Sequence, residues 1–152
     1  MMEKKDITGL SIDDKVNKIE VSNIKNYHNL FDALLDILGF HNIKFGMFMQ
    51  CKQDKISFVV NDIDVAQIKK ELELLKKDYL FEYVIRNDFD CITLVGLGFV
   101  SSPQLSIDIY RELNNKEIYI DQSIISNLSL SMLIDRDKSK ETVSILSESF
   151  NI

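Results

Sequence analysis

Few side chains in this chain have chemistry to offer, and their spacing limits what they can do. Cys51 and Cys91 lie far apart with no C-x-x-C between them, which fits buried free thiols better than a disulfide framework or a thiolate metal site. His28 and His41 are the only histidines and lack ligand spacing, so no metal site is expected. Asp88, Asp90 and Asp121 are carboxylates, and neither histidine has a partner evident in the sequence. Surface solvation explains the carboxylates more simply than acid–base work, and no catalytic residue, metal or cofactor is assigned.

The remaining candidates are groups that bind rather than react. Gln50 offers both donor and acceptor. A polar run occupies Ser22–Asn29, and a strand–turn–helix unit runs from Cys91 to Leu113. That unit reads Ile92-Thr93-Leu94-Val95, then Gly96 and Gly98, then Ser102-Pro103, then a helical stripe at Leu105, Ile109 and Leu113. Ser102 suits an N-cap and Pro103 the first helical position, where its missing N–H costs nothing. Glycines at such a turn permit positive φ or the close approach of a small ligand.

The bulk properties narrow the partners. The chain has 152 residues, 45% of them hydrophobic, and a net charge of −6, which permits one ordinary domain or two small ones. The acidic balance and the lack of Lys/Arg clusters argue against a nucleic-acid partner. No apolar run approaches the ~20 residues of a membrane helix, so no membrane partner is expected. The start, MMEKKDITGL, lacks the apolar core of a signal peptide, and a cytoplasmic location is the expectation.

The elements that must position these groups follow from periodicity. Residues 1–6 are charged and expected to fray. Ile7–Ile12 suits a short strand, and Lys18–Val21 alternates with Ile19 and Val21 inward. Ser22–Asn29 reads as a loop, followed by a helix with apolar residues from Leu30 to Leu38 that ends at Gly39. Ile43, Phe45, Met47 and Met49 recur at period two, as do Ile56, Phe58 and Val60 after a hairpin turn at Gln53-Asp54. A helix capped by Asp62 or Asp64 carries the stripe Val65, Ile68, Leu72, Leu75 and Tyr79. Phe81, Tyr83 and Ile85 then alternate as a strand. In the second half, strands are expected from Ile118 toward Ile125 and over Leu128–Ile134. A last helix, capped by Asp137, is striped by Val143, Leu146 and Phe150.

The two halves repeat. Leu34, Leu38 and Ile43 stand beside Ile109, Leu113 and Ile118, and Ile56–Val60 beside Leu130–Ile134. Each half reads β-α-β-β-α, and the first adds a final strand. The full β-α-β-β-α-β unit is the ferredoxin-like sandwich. The second copy has no sequence left for its last strand, and Ile7–Ile12 is the free candidate. The expected fold is therefore α+β: two ferredoxin-like βαββαβ modules, interleaved, with the N-terminal strand completing the second. The boundaries are 15–87 for the first module and 7–12 plus 90–152 for the second. Phe48 and Leu133 are expected on the sheet faces away from the helices, and such apolar faces favour a homodimer.

These residues resemble a known family. Ile7-Thr8-Gly9-Leu10 followed by Asp13-Asp14-Lys15 is similar to a T/S-G-V-A…D-K motif, and Ile43 through Met47-Phe48-Met49-Gln50 to I-N-I-x-M-x-x-Q. Ile92–Phe99 is similar to V-S-L-V-G-x-G-M, and Leu128–Ile134 to I-x-I-S-x-x-I. In this order they resemble the regulatory, tandem-ACT part of aspartate kinases, and their separately made regulatory subunit, from about Asp6 to Ile152. The resemblance implies ACT modules whose N-terminal strand completes the second module. It implies binding of an end-product amino acid, lysine or threonine, at an ACT–ACT interface, and inhibition of a kinase catalytic domain present in cis or in trans. Carried over, the effector site falls on Asn26, Tyr27, His28, Asn29 and Gln50, with Ser101, Ser102 and Gln104 in the second module. Nothing matches the K-F-G-G-T/S opening of the family's catalytic domain, so the chain alone is not expected to be an enzyme. The family's D-K-P-G is here Asn26-Tyr27-His28-Asn29, and two readings stay open: a sensor with altered specificity, or a ligand-free dimerisation scaffold. An RNA-binding module of the same topology would need sheet aromatics in a basic frame, which Phe48 and Phe58 lack.

Overall fold

The computed structural model describes residues 6–152; of the run expected to fray, residues 1–5 lie outside it. The chain separates into two compact units. A central unit is Lys15–Asn87, and a split unit joins the described residues up to Asp14 with Asp88–Ile152.

The first strand, β1 (Gly9–Asp13), belongs to the split unit. The central unit follows in order as β2 (Val16–Ser22), α1 (Tyr27–Phe40), β3 (Phe45–Gln50), β4 (Ile56–Asn61), α2 (Asp62–Leu75) and β5 (Glu82–Arg86). Its sheet runs β3-β4-β2-β5, antiparallel throughout. Alternation places Ile19 and Val21 of β2 and Ile56, Phe58 and Val60 of β4 on one face. Leu30, Leu34 and Leu38, one per turn of α1, and Ile68 and Leu72 of α2 close over that face. Each such side chain contributes roughly 1.5–3 kcal/mol by leaving water.

The split unit repeats the plan with β6 (Phe89–Val95), a short α3 (Gly98–Ser101), α4 (Gln104–Asn115), β7 (Ile120–Ile125), β8 (Ser129–Asp135) and α5 (Ser139–Phe150). Its sheet order is β1-β6-β8-β7. β1 thus fills the place that β5 fills in the central unit, pairing with β6 from Gly9↔Val95 to Asp13↔Cys91. The fold is α+β, two ferredoxin-like βαββαβ layouts with the N-terminal strand completing the second. Arg136 secures the far end of this arrangement. It donates to the buried Asp90 carboxylate at 2.9 Å and to the backbone carbonyls of Asp14 and Phe89 at 2.9 and 3.0 Å.

The repeat extends to the helix ends. α1 ends with Asn42 at φ 51°, while the amides of Asn42 and Ile43 donate to Gly39 and Leu38. α4 ends with Glu117 at φ 58°, while the amides of Glu117 and Ile118 donate to Asn114 and Leu113. Both are Schellman caps sealed by an apolar pair, Leu38–Ile43 and Leu113–Ile118. The helix therefore passes through Gly39, contrary to the expected stop there, and the left-handed turn falls on Asn42.

Other details differ from the sequence reading. β3 is not a period-two strand. Its register with β4 shifts between Gly46 and Met49, and Met47 sits at φ 45°. This bulge leaves Phe45 and Met49 exposed and turns Phe48 toward the helices, against Phe31 and Phe58. Phe48 is therefore not on the open face. Leu133 is buried but lies outside the helix-side core. Asn61 caps α2, its side-chain oxygen accepting from the Ile63 amide at 3.1 Å, in place of Asp62 or Asp64. Asp62 instead accepts from Asn17 at 2.6 Å. Asp137 makes no side-chain cap; it lies in a single 3-10 turn ahead of α5.

Candidate functional site

The site residues of the central unit are positioned where three segments meet. β2 ends at Ser22, and Asn23 at φ 51° turns the chain away, its side-chain nitrogen donating to Glu82 at 2.7 Å. The next two amides tie the turn down on both sides: Ile24 donates to Asp54 at 3.2 Å and Lys25 to Leu80 at 3.1 Å. α1 then starts at Tyr27, two residues before the end of the expected loop. Asn26 precedes it without a side-chain cap, and the first turn carries no acidic residue. The amides of such a turn have no intrahelical acceptor and carry the positive end of the helix dipole.

Opposite this turn, β3 ends at Gln50. A tight hairpin follows, with Lys52 at φ 65° and the Cys51 amide donating to Lys55 at 2.8 Å. The space between turn and hairpin is a pocket of about 780 Å³. Asn26, Tyr27 and His28 line it from the helix start, and Gln50 from the strand end. Lys52, Gln53 and Asp54 of the hairpin and Ile24 and Lys25 of the turn complete it. Gln50 donates to the Tyr27 hydroxyl at 2.6 Å, and Tyr27 stacks on Phe31 and meets His28 edge-on.

Four expected site residues, Asn26, Tyr27, His28 and Gln50, are thus brought together. Asn29 is exposed on α1 and does not line the pocket. The hairpin residues were missed: Gln53-Asp54 was legible as a turn, but nothing in the spacing said that this turn faces Tyr27.

The corresponding residues of the split unit serve its own helices. Ser101 donates to the Leu97 carbonyl at 3.4 Å, and Ser102 accepts from the Gln104 amide at 3.2 Å. Gln104 donates to Asp108 at 2.7 Å. Neither glycine of this turn has positive φ. They are small because the chain's own start lies against them. A Cβ on Gly98 would sit 2.6 Å from that of Asp6, and one on Gly96 would be 2.7 Å from the Ile7 Cα. The group that approaches is Asp6–Ile7, where the sequence suggested a ligand.

The remaining reactive groups lie elsewhere. Cys51 and Cys91 are free and half-buried. Burial pushes the Cys91 thiol up, Asp13 adds to this, and a contact with the Thr93 hydroxyl opposes it. His41, the residue after α1, meets Glu71 of α2 at 3.1 Å. Among the described residues no three His, Cys, Asp or Glu side chains cluster as metal ligands, and no helix is long and apolar enough to cross a membrane.

No family model matches the chain. Aspartokinase 2 of Bacillus subtilis is 23% identical over 150 residues, which are 96% of this chain and 37% of that protein. The chain thus spans little more than a third of that relative's length. A crystal structure of aspartokinase alpha and beta subunits superposes with a TM-score of 0.84 at 23% identity, covering 96% of this chain and 99% of the other. The ligand-free regulatory subunit of aspartate kinase from Thermus thermophilus also gives 0.84, at 17% identity and the same coverage. At these identities the likeness establishes the fold. Over the 96% of the chain that superposes, it has the tandem-ACT fold of aspartokinase regulatory subunits, as its sequence motifs suggested. The two units account for the described residues, which hold no kinase catalytic domain.

Proposed function

We propose that this chain is the regulatory portion of an aspartate kinase, with ACT modules at 15–87 and at 7–12 plus 90–152. It binds an end-product amino acid of the lysine or threonine class and thereby inhibits a kinase catalytic domain in cis or in trans, in the cytoplasm. The observation that carries the effector site is the pocket that joins the uncapped start of α1 to Gln50. Free amides at a helix start suit a carboxylate, and the Gln50 carboxamide suits either end of an amino acid. A homodimer through the ACT modules fits the apolar residues exposed on the edge strands, Phe45 and Met49 on β3 and Ile124 and Ile125 on β7.

One observation favours a second reading. Gln50 already donates to Tyr27 at 2.6 Å, so part of the hydrogen bonding a ligand would use is satisfied internally. On that reading the chain is a ligand-free assembly scaffold. Calorimetry of the purified chain against lysine, threonine, methionine and aspartate, with thermal melts alongside, separates the two. A ligand at 100 times its Kd stabilises the fold by about 2.7 kcal/mol. Binding that Gln50→Ala abolishes supports the sensor. A stable dimer that binds none of the four supports the scaffold.

A further inference from the structure

The charge of the pocket lining runs against that of the chain. The protein carries a net charge of −6, yet the charged side chains around this pocket are two lysines, Lys25 and Lys52, against one carboxylate, Asp54. Neither lysine has an ion-pair partner among the described residues. The other polar lining groups, among them His28, Tyr27 and Gln50, supply no second carboxylate. A ligand whose side chain is a cation would meet two ammonium groups and would have to share the single carboxylate between its α-ammonium and its side chain. A ligand with two carboxylates and one ammonium matches the lining group for group.

We infer that the central pocket selects an acidic α-amino acid over lysine, its two carboxylates facing Lys25 and Lys52 and its α-ammonium facing Asp54. This rests only on the reading of the pocket as an amino-acid effector site, and it puts an acidic side chain in place of the lysine or threonine class given above. Charge complementarity of this kind discriminates as much by repelling the wrong ligand as by attracting the right one. Tyr27 and Gln50 are left to hydrogen-bond whichever carboxylate lies deeper.

Calorimetry of the full chain at low ionic strength tests this with aspartate, glutamate, succinate, lysine and threonine as probes. The expected result is binding of aspartate or glutamate, with lysine at least tenfold weaker. Lys52→Glu and Lys25→Glu each weaken the acidic ligand about tenfold or more, as loss of one charge-assisted contact predicts. Both positions are exposed, so melts of the variants should match the parent. Asp54→Asn weakens aspartate but not succinate. Binding of lysine or threonine without the acidic amino acids overturns the inference and leaves the effector reading intact. Succinate binding as tightly as aspartate overturns the role given to Asp54. Binding of none of the five, with melts unchanged, overturns both the inference and the effector reading.

Discussion

The amide of Gly98 donates to the backbone carbonyl of Asp6 at 3.0 Å. The matching bond of the central unit runs from Lys25 to Leu80 at 3.1 Å. In both units the turn after the first strand is tied to the residues leading into the last one. In the central unit those residues follow α2 in the chain. In the split unit they precede β1, so that unit's turn depends on a segment far from it in the sequence.

Gly96 tests this dependence. A Cβ there would run into the Asp6 carbonyl oxygen and crowd Ile7, and both are backbone, which cannot swing aside. Gly96→Ala is expected to cost about 2–3 kcal/mol, the upper part of the usual range for overpacking, through displacement of β1 from β6. Denaturant melts would show the loss. Hydrogen exchange would show weakened protection of β1 amides while β2–β5 stay protected. A variant that melts like the parent with β1 fully protected would refute the account.

The order of elements was legible because alternation and helical stripes are strong along most of this chain. Ile19, Val21, Ile56, Phe58 and Val60 are all buried as read, and the counted shortfall of one strand correctly sent β1 to the second sheet. The reading failed where local backbone breaks the period. In β3 the bulge at Met47 exchanges the facing of its neighbours, so Phe48 goes inward although Phe45 and Met49 carry the apparent alternation. A one-residue slip of this kind is invisible to a period-two count. At the pocket, the chain's own turn was legible at Asn26–His28, but the facing hairpin was not, because only the three-dimensional pairing of β3 with β4 brings Lys52 and Asp54 opposite Tyr27.

The paired Schellman caps make a stability prediction. Asn42 and Glu117 hold equivalent left-handed positions, and that region costs asparagine less than glutamate. Glu117→Asn, which copies the central unit's cap, is expected to stabilise the split unit by about 0.5–1 kcal/mol. Glu117→Val, a β-branched residue, is expected to destabilise it. Thermal or chemical melts of the two variants against the parent decide it, and equal stability of all three would show that the cap contributes nothing.

The last prediction concerns alkaline pH. Tyr83 of β5 donates to the Glu73 carboxylate of α2, and Lys76 lies 5.1 Å from its ring centre. Its hydroxyl is raised from 10.0 to about 12, by burial first and then by the hydrogen bond to Glu73 and its negative charge. The folded chain therefore keeps this proton at pH values where the unfolded chain has lost it. The stabilisation is fully present below pH 10 and is lost as pH rises toward 12. Tyr83→Phe removes the titrating group, so its melting temperature should fall less steeply than the parent's across that window. Glu73→Gln removes the charge but not the burial, so the shift should shrink without disappearing. Ultraviolet titration of the phenols, read alongside melts at each pH, measures both. A Tyr83→Phe chain that loses as much stability as the parent over the same window would mean that another group governs the alkaline limb.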